Sequence, residues 1–298
     1  MKTSFVTTVL NEAKTITGLL DSLQTQTKLP DEVIIVDAGS TDSTPALIKT
    51  HPLCQTTTVR IIKQSGLNRS QGRNLGIKSA KHRLIALSDA GCVLDKDWLV
   101  RITEPLKNSS VDSVAGYYQT TTDSVLAQAM APFVAVMPDR FNLRTYLPSS
   151  RSLALKKSAW LKVGRYPENL DYCEDLIFSA KLKAQTRMAV KAEAIVFWKV
   201  PDGWKDFYHS LKNYASGDVQ AGYWQHLIKI ISVYLRYLVF FTAPPLFFAY
   251  LFWPIIKFNH YVSGFKAVAF LPLVQLTADL AVMRGALLGL KLRLSRLF

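Results

Sequence analysis

Short apolar segments alternate with amphipathic ones along the first hundred residues. Four runs rich in β-branched and other apolar residues occupy positions 5–10, 33–36, 59–62 and 84–87. Between the first two runs, apolar side chains recur at the i, i+3, i+4, i+7 spacing of a helix, at Ile16, Leu19, Leu20 and Leu23. Thr44 followed by Pro45 predicts a second helix, with Thr44 as its N-cap. This alternation predicts an α/β fold with a mostly parallel sheet and helices on its faces.

The pattern becomes less regular in residues 100–226, where Ser, Thr, Asn and aromatic residues are frequent. Such a pattern is typical of mixed α and β structure. Residues 148–151 predict a loop, 175–183 a helix and 195–198 a strand. We therefore expect residues 1–226 to form one domain.

The last quarter of the chain is apolar. Residues 237–256 contain no charge, and twenty residues are enough for a helix to cross about 30 Å of hydrocarbon, with a kink at Pro244-Pro245. A second apolar stretch, 267–290, carries Asp279 and Arg284; it either spans with these charges paired or lies in the interface as an amphipathic helix. Residues 227–298 are therefore predicted to be a membrane-associated region, with one or two transmembrane helices at 233–256 and 267–290.

The charge distribution supports a membrane rather than nucleic acid. The chain has a net charge of +14, and residues 227–298 contribute half of it, with eight Lys and Arg against one acid. In residues 1–226 the basic side chains are scattered among acids, and no nucleic-acid-binding motif is present, so we expect no nucleic acid partner.

The expected location is the cell membrane, with the first domain on the cytoplasmic side. The apolar run at 5–10 is too short for a signal peptide. If the chain spans twice, the basic end at 291–296 returns to the cytoplasm, as the positive-inside rule prefers. The three cysteines show no metal-binding spacing and are expected to be reduced thiols.

Polar residues follow three of the predicted strands. Asn11-Glu12 follows the first strand, 37–42 follows the second, and Asp89 ends the fourth. Open α/β sheets bind ligands at the carboxyl ends of their strands, so these residues predict a binding site. No glycine-rich dinucleotide motif or P-loop is present. Carboxylates favour N–H groups, hydroxyls and cations instead: Glu12 and Asp37 can accept from a nucleobase, and Asp89 can hold a ribose or a metal.

Two further residues are candidates for the same site. Arg73 comes shortly before the fourth strand and can meet a pyrophosphate with both ends of its guanidinium, although a solvated helix arginine fits the spacing equally well. Trp198 can stack on a sugar ring, although a tryptophan in the core is the more common case.

Taken together, these segments resemble family 2 glycosyltransferases over roughly residues 4–225. The resemblance is carried by Thr8 with Asn11-Glu12, and by segments 36–44, 72–77, 87–92, 149–155, 164–166 and 174–178. It implies a GT-A fold, which is Rossmann-like with a mostly parallel mixed sheet, in a membrane-associated enzyme of the bacterial type. It also implies inverting transfer of a sugar from a nucleotide-diphosphate sugar.

The resemblance implies a role for each matching residue. Thr8, Glu12 and Asp37 would hold the nucleoside, and Asp89 would contact the ribose or a metal. Asp175 would be the catalytic base, since inversion needs one carboxylate to take the proton of the acceptor hydroxyl. Glu174 would orient the acceptor or brace the loop. The segments carrying Arg151 and Trp198 would lie on the acceptor side.

One position departs from the family pattern. The family's DxD segment usually ends in a metal-binding aspartate, and here that position is Gly91. Asp89 alone is a poor site for Mg²⁺ or Mn²⁺, although diphosphate oxygens and water can supply further ligands. Either a divalent cation is held in this way, or Arg73 or Arg151 neutralises the leaving diphosphate.

We expect an enzyme that transfers a single sugar, because the Gln-x-x-Arg-Trp motif of processive synthases is absent. The expected donor is a nucleotide-diphosphate sugar, with a UDP-sugar favoured, and the acceptor a hydroxyl or phosphate of a lipid or lipid-linked molecule. The alternative is a catalytically impaired GT-A-like protein that binds nucleotide sugars or serves assembly, with Gly91 as the trace of the lost activity.

Overall fold

The computed structural model describes residues 1–296, so the last two residues of the predicted region 227–298 lie outside it. The chain forms two compact units. The sheet unit comprises residues 1–119 and 142–198, and the helical unit comprises residues 120–141 and the chain from 199 onward. The sequence boundary at 226 differs from this division, because helices within 120–141 and 204–221 pack against the last helix of the chain.

Eight strands form one mixed sheet. They are β1 (Thr3–Val9), β2 (Glu32–Asp37), β3 (Val59–Lys63), β4 (Leu84–Leu87), β5 (Cys92–Leu94), β6 (Ser113–Thr121), β7 (Leu153–Lys156) and β8 (Met188–Lys199). Their order is β3-β2-β1-β4-β7-β6-β8-β5. Strands β1 to β4 pair in parallel, whereas β7 runs antiparallel to β4 and β6, and β5 runs antiparallel to β8. The four strands predicted from the apolar runs are thus present and parallel.

The helices of the sheet unit are α1 (Ile16–Gln24), α2 (Thr44–Thr50), α3 (Leu53–Thr56), α4 (Arg69–Ser79), α5 (Trp98–Thr103), α7 (Lys157–Lys162) and α8 (Glu174–Gln185). Those of the helical unit are α6 (Val125–Val134), α9 (Trp204–Ala221), α10 (Trp224–Thr242), α11 (Pro244–Phe258) and α12 (Ala267–Leu294). Short 3₁₀ turns occupy Glu104–Lys107, Pro138–Arg140 and Asn259–Tyr261.

Helix α4 lies unusually close to β1. A Cβ at Gly72 would come within 2.8 Å of Thr8 Cγ2, and one at Gly76 within 2.5 Å of Val6 Cγ1. The two glycines, one helical turn apart, remove the side chains that would keep the helix away from the strand. This close packing fixes Arg73, the residue after Gly72, at the carboxyl end of β1.

One part of the core of the sheet unit lies under α4, α7 and α8. It contains apolar side chains of the parallel strands together with three large aromatic residues, Trp160, Tyr166 and Phe178. The rings of Tyr166 and Phe178 stack with their centroids 3.9 Å apart. This stack joins the segment before α8 to α8 itself, and it therefore holds the start of that helix rigidly.

In the helical unit, the apolar run at 237–256 is divided between two helices. Helix α10 ends at Thr242 and α11 begins at Pro244, whereas the sequence predicted one kinked span. Consecutive prolines donate no backbone hydrogen bond and clash with the preceding turn, so the helix stops before them. Among residues 1–296, Val268–Leu294 of α12 is the one helical segment with the length and composition to cross a membrane.

Helix α12 packs tightly against α9 through a pair of glycines, Gly285 and Gly289. A Cβ at Gly285 would lie 2.1 Å from the carbonyl oxygen of Lys212, and one at Gly289 would lie 2.5 Å from that of Ser216. Small residues at i and i+4 allow two helix backbones to approach closely, as is common between membrane helices.

Candidate active site

The loops after β1 and β2 are joined by hydrogen bonds. Asn11 has a left-handed backbone (φ 57°), and its Oδ1 accepts from the Thr41 amide at 2.9 Å. The Asn11 amide donates to Ser40 Oγ at 3.0 Å. The Thr44 hydroxyl, expected to cap α2, instead accepts from the Glu12 amide at 2.8 Å. The two strand ends therefore form one polar edge.

Two of the predicted nucleoside-binding residues lie on this edge. Asp37 is buried, and its Oδ1 accepts from the Ser40 amide at 2.8 Å and from the Gly39 amide at 3.2 Å. Burial raises the pKa of Glu12, and the nearby Asp89 raises it further, while the Thr15 hydroxyl and Arg69 oppose the shift. Glu12 is thus within electrostatic reach of Asp89 at the end of β4.

Arg73 lies at the centre of a buried ion-pair cluster. Its Nη2 donates to Asp89 Oδ1 at 2.8 Å and its Nη1 donates to Glu174 Oε1 at 2.6 Å. The side chain is 6% exposed. Both ends of the guanidinium are therefore bound to carboxylates of the protein, and the diphosphate contact expected from the sequence stays a prediction.

Asn74, the residue after Arg73, fixes the segment that precedes α8. Its Nδ2 donates to the Tyr166 carbonyl and to Glu168 Oε1, both at 2.9 Å. Its Oδ1 accepts from the Trp160 indole and from the Tyr166 amide, both at 3.0 Å. Such a buried amide with every hydrogen bond satisfied adds rigidity. The arginine-asparagine pair therefore positions two sides of the site.

Glu174 and Asp175 begin α8, after Cys173, whose backbone is left-handed (φ 66°). A left-handed residue without glycine's freedom is an uncommon conformation that occurs most often at functional sites. Burial and the neighbouring Asp175 raise the pKa of Glu174 to about 7, although Arg73 opposes the shift. Glu174 is thus buried against Arg73, which agrees with a bracing role.

Asp175 has a different environment from Glu174. It is half-buried, and its Oδ1 accepts from the Leu176 amide at 2.8 Å, within the first turn of the helix. Within residues 1–296, this backbone amide is the one hydrogen-bond donor to the Asp175 carboxylate. Its carboxylate therefore retains acceptor capacity.

Arg151 lies between two aromatic rings beside Asp89. Its guanidinium carbon is 4.2 Å from the ring centroid of Trp198 and 5.1 Å from that of Tyr118. Its Nε is 4.0 Å from Asp89 Oδ2. Trp198 pairs with Cys92 across β5 and β8, which places its backbone next to the strand end that carries Asp89. In this structure the ring of Trp198 therefore contacts Arg151.

The electrostatics of Asp89 follow from these neighbours. Burial alone would raise its pKa, but Arg73 and then Arg151 outweigh that effect, and the pKa lies below its usual range. The carboxylate stays ionised at neutral pH and keeps about a third of its surface exposed. It is thus an anionic group with both cationic neighbours and access from outside.

The residues around Asp89 do not form a self-contained metal site. Within residues 1–296, no group of three His, Cys, Asp or Glu side chains is arranged to hold a metal. One oxygen of Asp89 is already bound to Arg73, and a Cβ at Gly91 would meet no atom within 4 Å. The position where the family usually has a second carboxylate is therefore open space.

Sequence reasoning missed two residues of the site. Arg69, at the start of α4, lies over the ring of Tyr172 at 4.6 Å and donates to the Asp171 carbonyl at 3.1 Å. Tyr118 contacts Arg151, as described above. Arg69 directly follows Asn68, the N-cap of α4, so its position at a helix start could be predicted from the sequence. Its contacts could not, because they come from a segment about a hundred residues further along the chain.

The mixed eight-stranded sheet and its polar edge define the GT-A class of sugar-transferring folds. Residues 4–156 match the sequence model of glycosyl transferase family 2. The match covers half of the chain, and the chain belongs to that family. The predictions of the family and of the fold are confirmed.

Curated relatives agree with this assignment. Glycosyltransferase AglE of Haloferax volcanii is 24% identical over 171 residues, which cover 56% of each chain. Succinoglycan biosynthesis protein ExoO of Rhizobium meliloti is 36% identical over 105 residues, 34% of this chain and 28% of ExoO. The matched part is thus about half of one relative and little more than a quarter of the other. Their names support the expectation of a glycosyltransferase enzyme.

Solved structures agree on the fold. The mannosyltransferase PcManGT of Pyrobaculum calidifontis, in complex with GDP-Man and Mn²⁺, superimposes with a TM-score of 0.58 at 17% identity, over 99% of this chain and 79% of PcManGT. TarS 1–349 of S. aureus in complex with UDP-GlcNAc gives 0.54 at 18% identity, over 96% and 90% of the two chains. At these identities the likeness establishes the GT-A fold alone.

Proposed function

We propose that this chain is an inverting glycosyltransferase that moves one sugar from a nucleotide-diphosphate sugar to a hydroxyl or phosphate acceptor. The observation that carries the proposal is the cluster of Asp89, Arg73 and Glu174 at the carboxyl ends of the strands, with Asp175 beside it. In this proposal, some of these side chains bind the donor or position other side chains, and one carboxylate takes the proton of the acceptor.

The nucleoside is assigned to the edge formed by the loops after β1 and β2. Asp37 keeps one carboxylate oxygen, Oδ2, without a hydrogen bond from residues 1–296, so it can accept from a base N–H. Thr8 and Glu12 complete this side. Asp89 is assigned to the ribose or the diphosphate. UDP-sugars are our favoured donors. Of the two structurally similar proteins described above, PcManGT holds GDP-Man and TarS 1–349 holds UDP-GlcNAc.

The transfer step is assigned to Asp175. The acceptor oxygen attacks the anomeric carbon from the face opposite the leaving group, its proton passes to the Asp175 carboxylate, and the bond from that carbon to the diphosphate oxygen breaks with its electron pair. Such a base contributes about a hundredfold to ten-thousandfold to a rate. Glu174 does not compete for this role, because it is buried against Arg73 at 2.6 Å.

The leaving diphosphate needs positive charge nearby. Arg151 lies beside the second carboxylate oxygen of Asp89, and Arg69 lies at the start of α4, where the helix dipole also favours an anion. Arg73 acts indirectly, by holding Asp89. A divalent cation, Mg²⁺ or Mn²⁺, would enter as a ligand of the diphosphate, because the chain offers it Asp89 alone.

A lipid or lipid-linked acceptor at the cytoplasmic face of the cell membrane is part of the proposal. It is supported by the exposed apolar side chains of the helical unit, such as Phe241 at 86%, Ile256 at 72% and Trp224 at 64%. Soluble surfaces rarely carry so many large exposed apolar residues together, and membrane contact would cover them. A relative named O-antigen chain rhamnosyltransferase RfbN, of Salmonella typhimurium, matches at 23% identity.

A donor screen tests the proposal. Membranes from cells that express the full chain are incubated with labelled UDP- and GDP-sugars and then extracted with organic solvent. We expect label from one donor to enter the organic phase, and membranes without the chain to give none. Nucleotide release without any labelled product would contradict a transfer to lipid.

The alternative is a GT-A-like protein that binds nucleotide sugars without transferring them. The open space at Gly91, where the family usually supplies a carboxylate, favours it. Calorimetric titration of nucleotide sugars with and without Mn²⁺ separates the two: saturable binding together with no turnover of any donor supports the alternative.

A further inference from the structure

The helical unit carries a cavity of about 630 Å³ that is open to the surface and within the size range of small-molecule sites. Its walls come mainly from α10, α11 and α12, with Phe133 of α6 and Leu211 of α9 closing one side. None of the residues discussed for sugar transfer lines it. The cavity is therefore a separate feature of this unit.

The charged side chains that line the cavity are mostly positive. Lys229, Arg236 and Lys257 face a single acid, Asp279. Arg236 lies 3.6 Å from Asp279 and over the ring of Tyr250 at 4.7 Å. Asp279 also accepts from the Tyr250 hydroxyl at 2.6 Å. This one acid is thus already satisfied, and the two lysines form no ion pair with any residue in 1–296.

Lys257 lies among aromatic rings and other cations. Its Nζ is 5.1 Å from the ring centroid of Phe258 and 5.9 Å from that of Trp253. Two positive side chains, Arg140 and Arg236, repel it electrostatically and, together with burial, lower the pKa of its ammonium group. Arg140 also lies over the ring of Phe258, with its guanidinium carbon 4.9 Å from the ring centroid. A bound anion would relieve this repulsion between like charges.

Most of the remaining wall is apolar, although Ser232 and Gln275 also line it. Phe133, Val233, Trp253, Phe258 and Val282 supply most of it. Lys229, Trp253 and Lys257 are exposed, so the cationic end of the cavity lies at the surface of the unit. A cationic mouth over an apolar wall fits an amphiphile, with a negative head and a hydrocarbon chain.

We propose that this cavity binds one anionic phospholipid, with its headgroup phosphate at Lys229 and Lys257 and its hydrocarbon chain along the apolar wall. A free phosphate shares the head chemistry but would leave the apolar wall uncovered. The inference does not rest on the transfer reaction, because every lining residue belongs to the helical unit.

Quenching of tryptophan fluorescence by brominated lipids tests this site, since Trp253 lies in its wall. The full chain is reconstituted in phosphatidylcholine nanodiscs that contain increasing amounts of brominated phosphatidylglycerol, or of brominated phosphatidylcholine for comparison. We expect saturable quenching by the anionic lipid at low mole fraction, and we expect Trp253→Phe to remove that component.

Two charge variants locate the headgroup. Lys229→Gln with Lys257→Gln should weaken the saturable component at least about tenfold, since a charge-assisted hydrogen bond is worth that much or more. Lys291→Gln, on the last turn of α12 and outside the cavity, should change it less than about twofold. Thermal unfolding confirms that each variant is folded.

Three results would overturn the proposal. The first is equal quenching by the two brominated lipids in the unmodified chain, which needs no variant. The second is an equal loss in Lys291→Gln and the double variant, which would indicate general surface charge. The third is full competition by millimolar inorganic phosphate, which would make free phosphate the ligand.

Discussion

Arg73 holds together two acids of the candidate site. It joins Asp89 at the end of β4 to Glu174 at the start of α8, segments that are far apart along the chain. A planar guanidinium can hold two carboxylates at fixed positions, which an ammonium group cannot do. The relative positions of Asp89 and Glu174 are therefore set by one buried side chain.

Replacing Arg73 by Lys should destabilise the fold and disorder the site. A single ammonium cannot hold both acids, and leaving a buried carboxylate without its partner costs about 3 kcal/mol. We expect a clear drop in the unfolding temperature and a loss of nucleotide affinity. Arg83→Lys, at an exposed position, is the matched control and should behave like the parent. Parent-like behaviour of Arg73→Lys would refute the organising role.

Glu174 should make stability depend on pH. Its pKa is raised in the folded chain, so its stabilising contribution is complete below its ordinary value of 4.5 and is lost as the pH rises through about 7. The loss can reach about 1.4 kcal/mol per pH unit. Unfolding temperatures measured between pH 5 and about 8 should fall less steeply for Glu174→Gln. Identical slopes would show that Glu174 titrates normally.

Gly91→Asp tests what the open position means. Nothing within 4 Å obstructs a new side chain there, and a second carboxylate beside Asp89 would complete an oxygen-ligand pair. We expect the affinity for Mn²⁺ in the presence of nucleotide to increase about tenfold, measured by titration of paramagnetic Mn²⁺. Gly91→Asn, of the same size and without charge, is the control. No gain over this control would place the diphosphate away from residue 91.

Helices and strands that depend on the local spacing of apolar residues were predicted correctly from the sequence. The four parallel strands, α1 and α8 follow from periodicity, and their observed bounds lie close to the expected ones. The sequence predicted one kinked helix through Pro244-Pro245, whereas the chain forms two helices that are separated at Ala243. The glycine pair in α12 went unnoticed, because its meaning depends on α9, which packs against it.

Gly285→Leu should separate α12 from α9. A Cβ there would lie 2.1 Å from the Lys212 carbonyl oxygen, so the helices must move apart and lose packing along their contact. We expect a loss of about 2 kcal/mol or more, as for other overpacked sites, measured as a lower unfolding temperature in detergent. Leu287→Phe enlarges an exposed residue of the same helix and should have little effect. Equal stability of both variants would contradict the close contact.

In the whole molecule, the domain boundary predicted at residue 226 followed the change in composition and charge. The two units of the structure are instead defined by which helices and strands pack together. The apolar, basic end was recognised from composition, but residues 120–141 join the helical unit through contacts that no local pattern shows. The same limit applies to the site. Asp37, Asp89 and Asp175 could be found from motifs, whereas the contacts of Arg73 with Glu174 and of Arg151 with Trp198 depend on the folded chain.

In the proposed reaction, Asp175 takes the proton of the acceptor, while the nucleotide is held by other residues. The most direct measurement compares the purified full chain with Asp175→Asn, using the donor identified by the screen. We predict that the variant binds nucleotide with unchanged affinity but transfers sugar at least about a hundredfold more slowly. Transfer at the parent's rate by a folded Asp175→Asn chain would show that Asp175 is not the base.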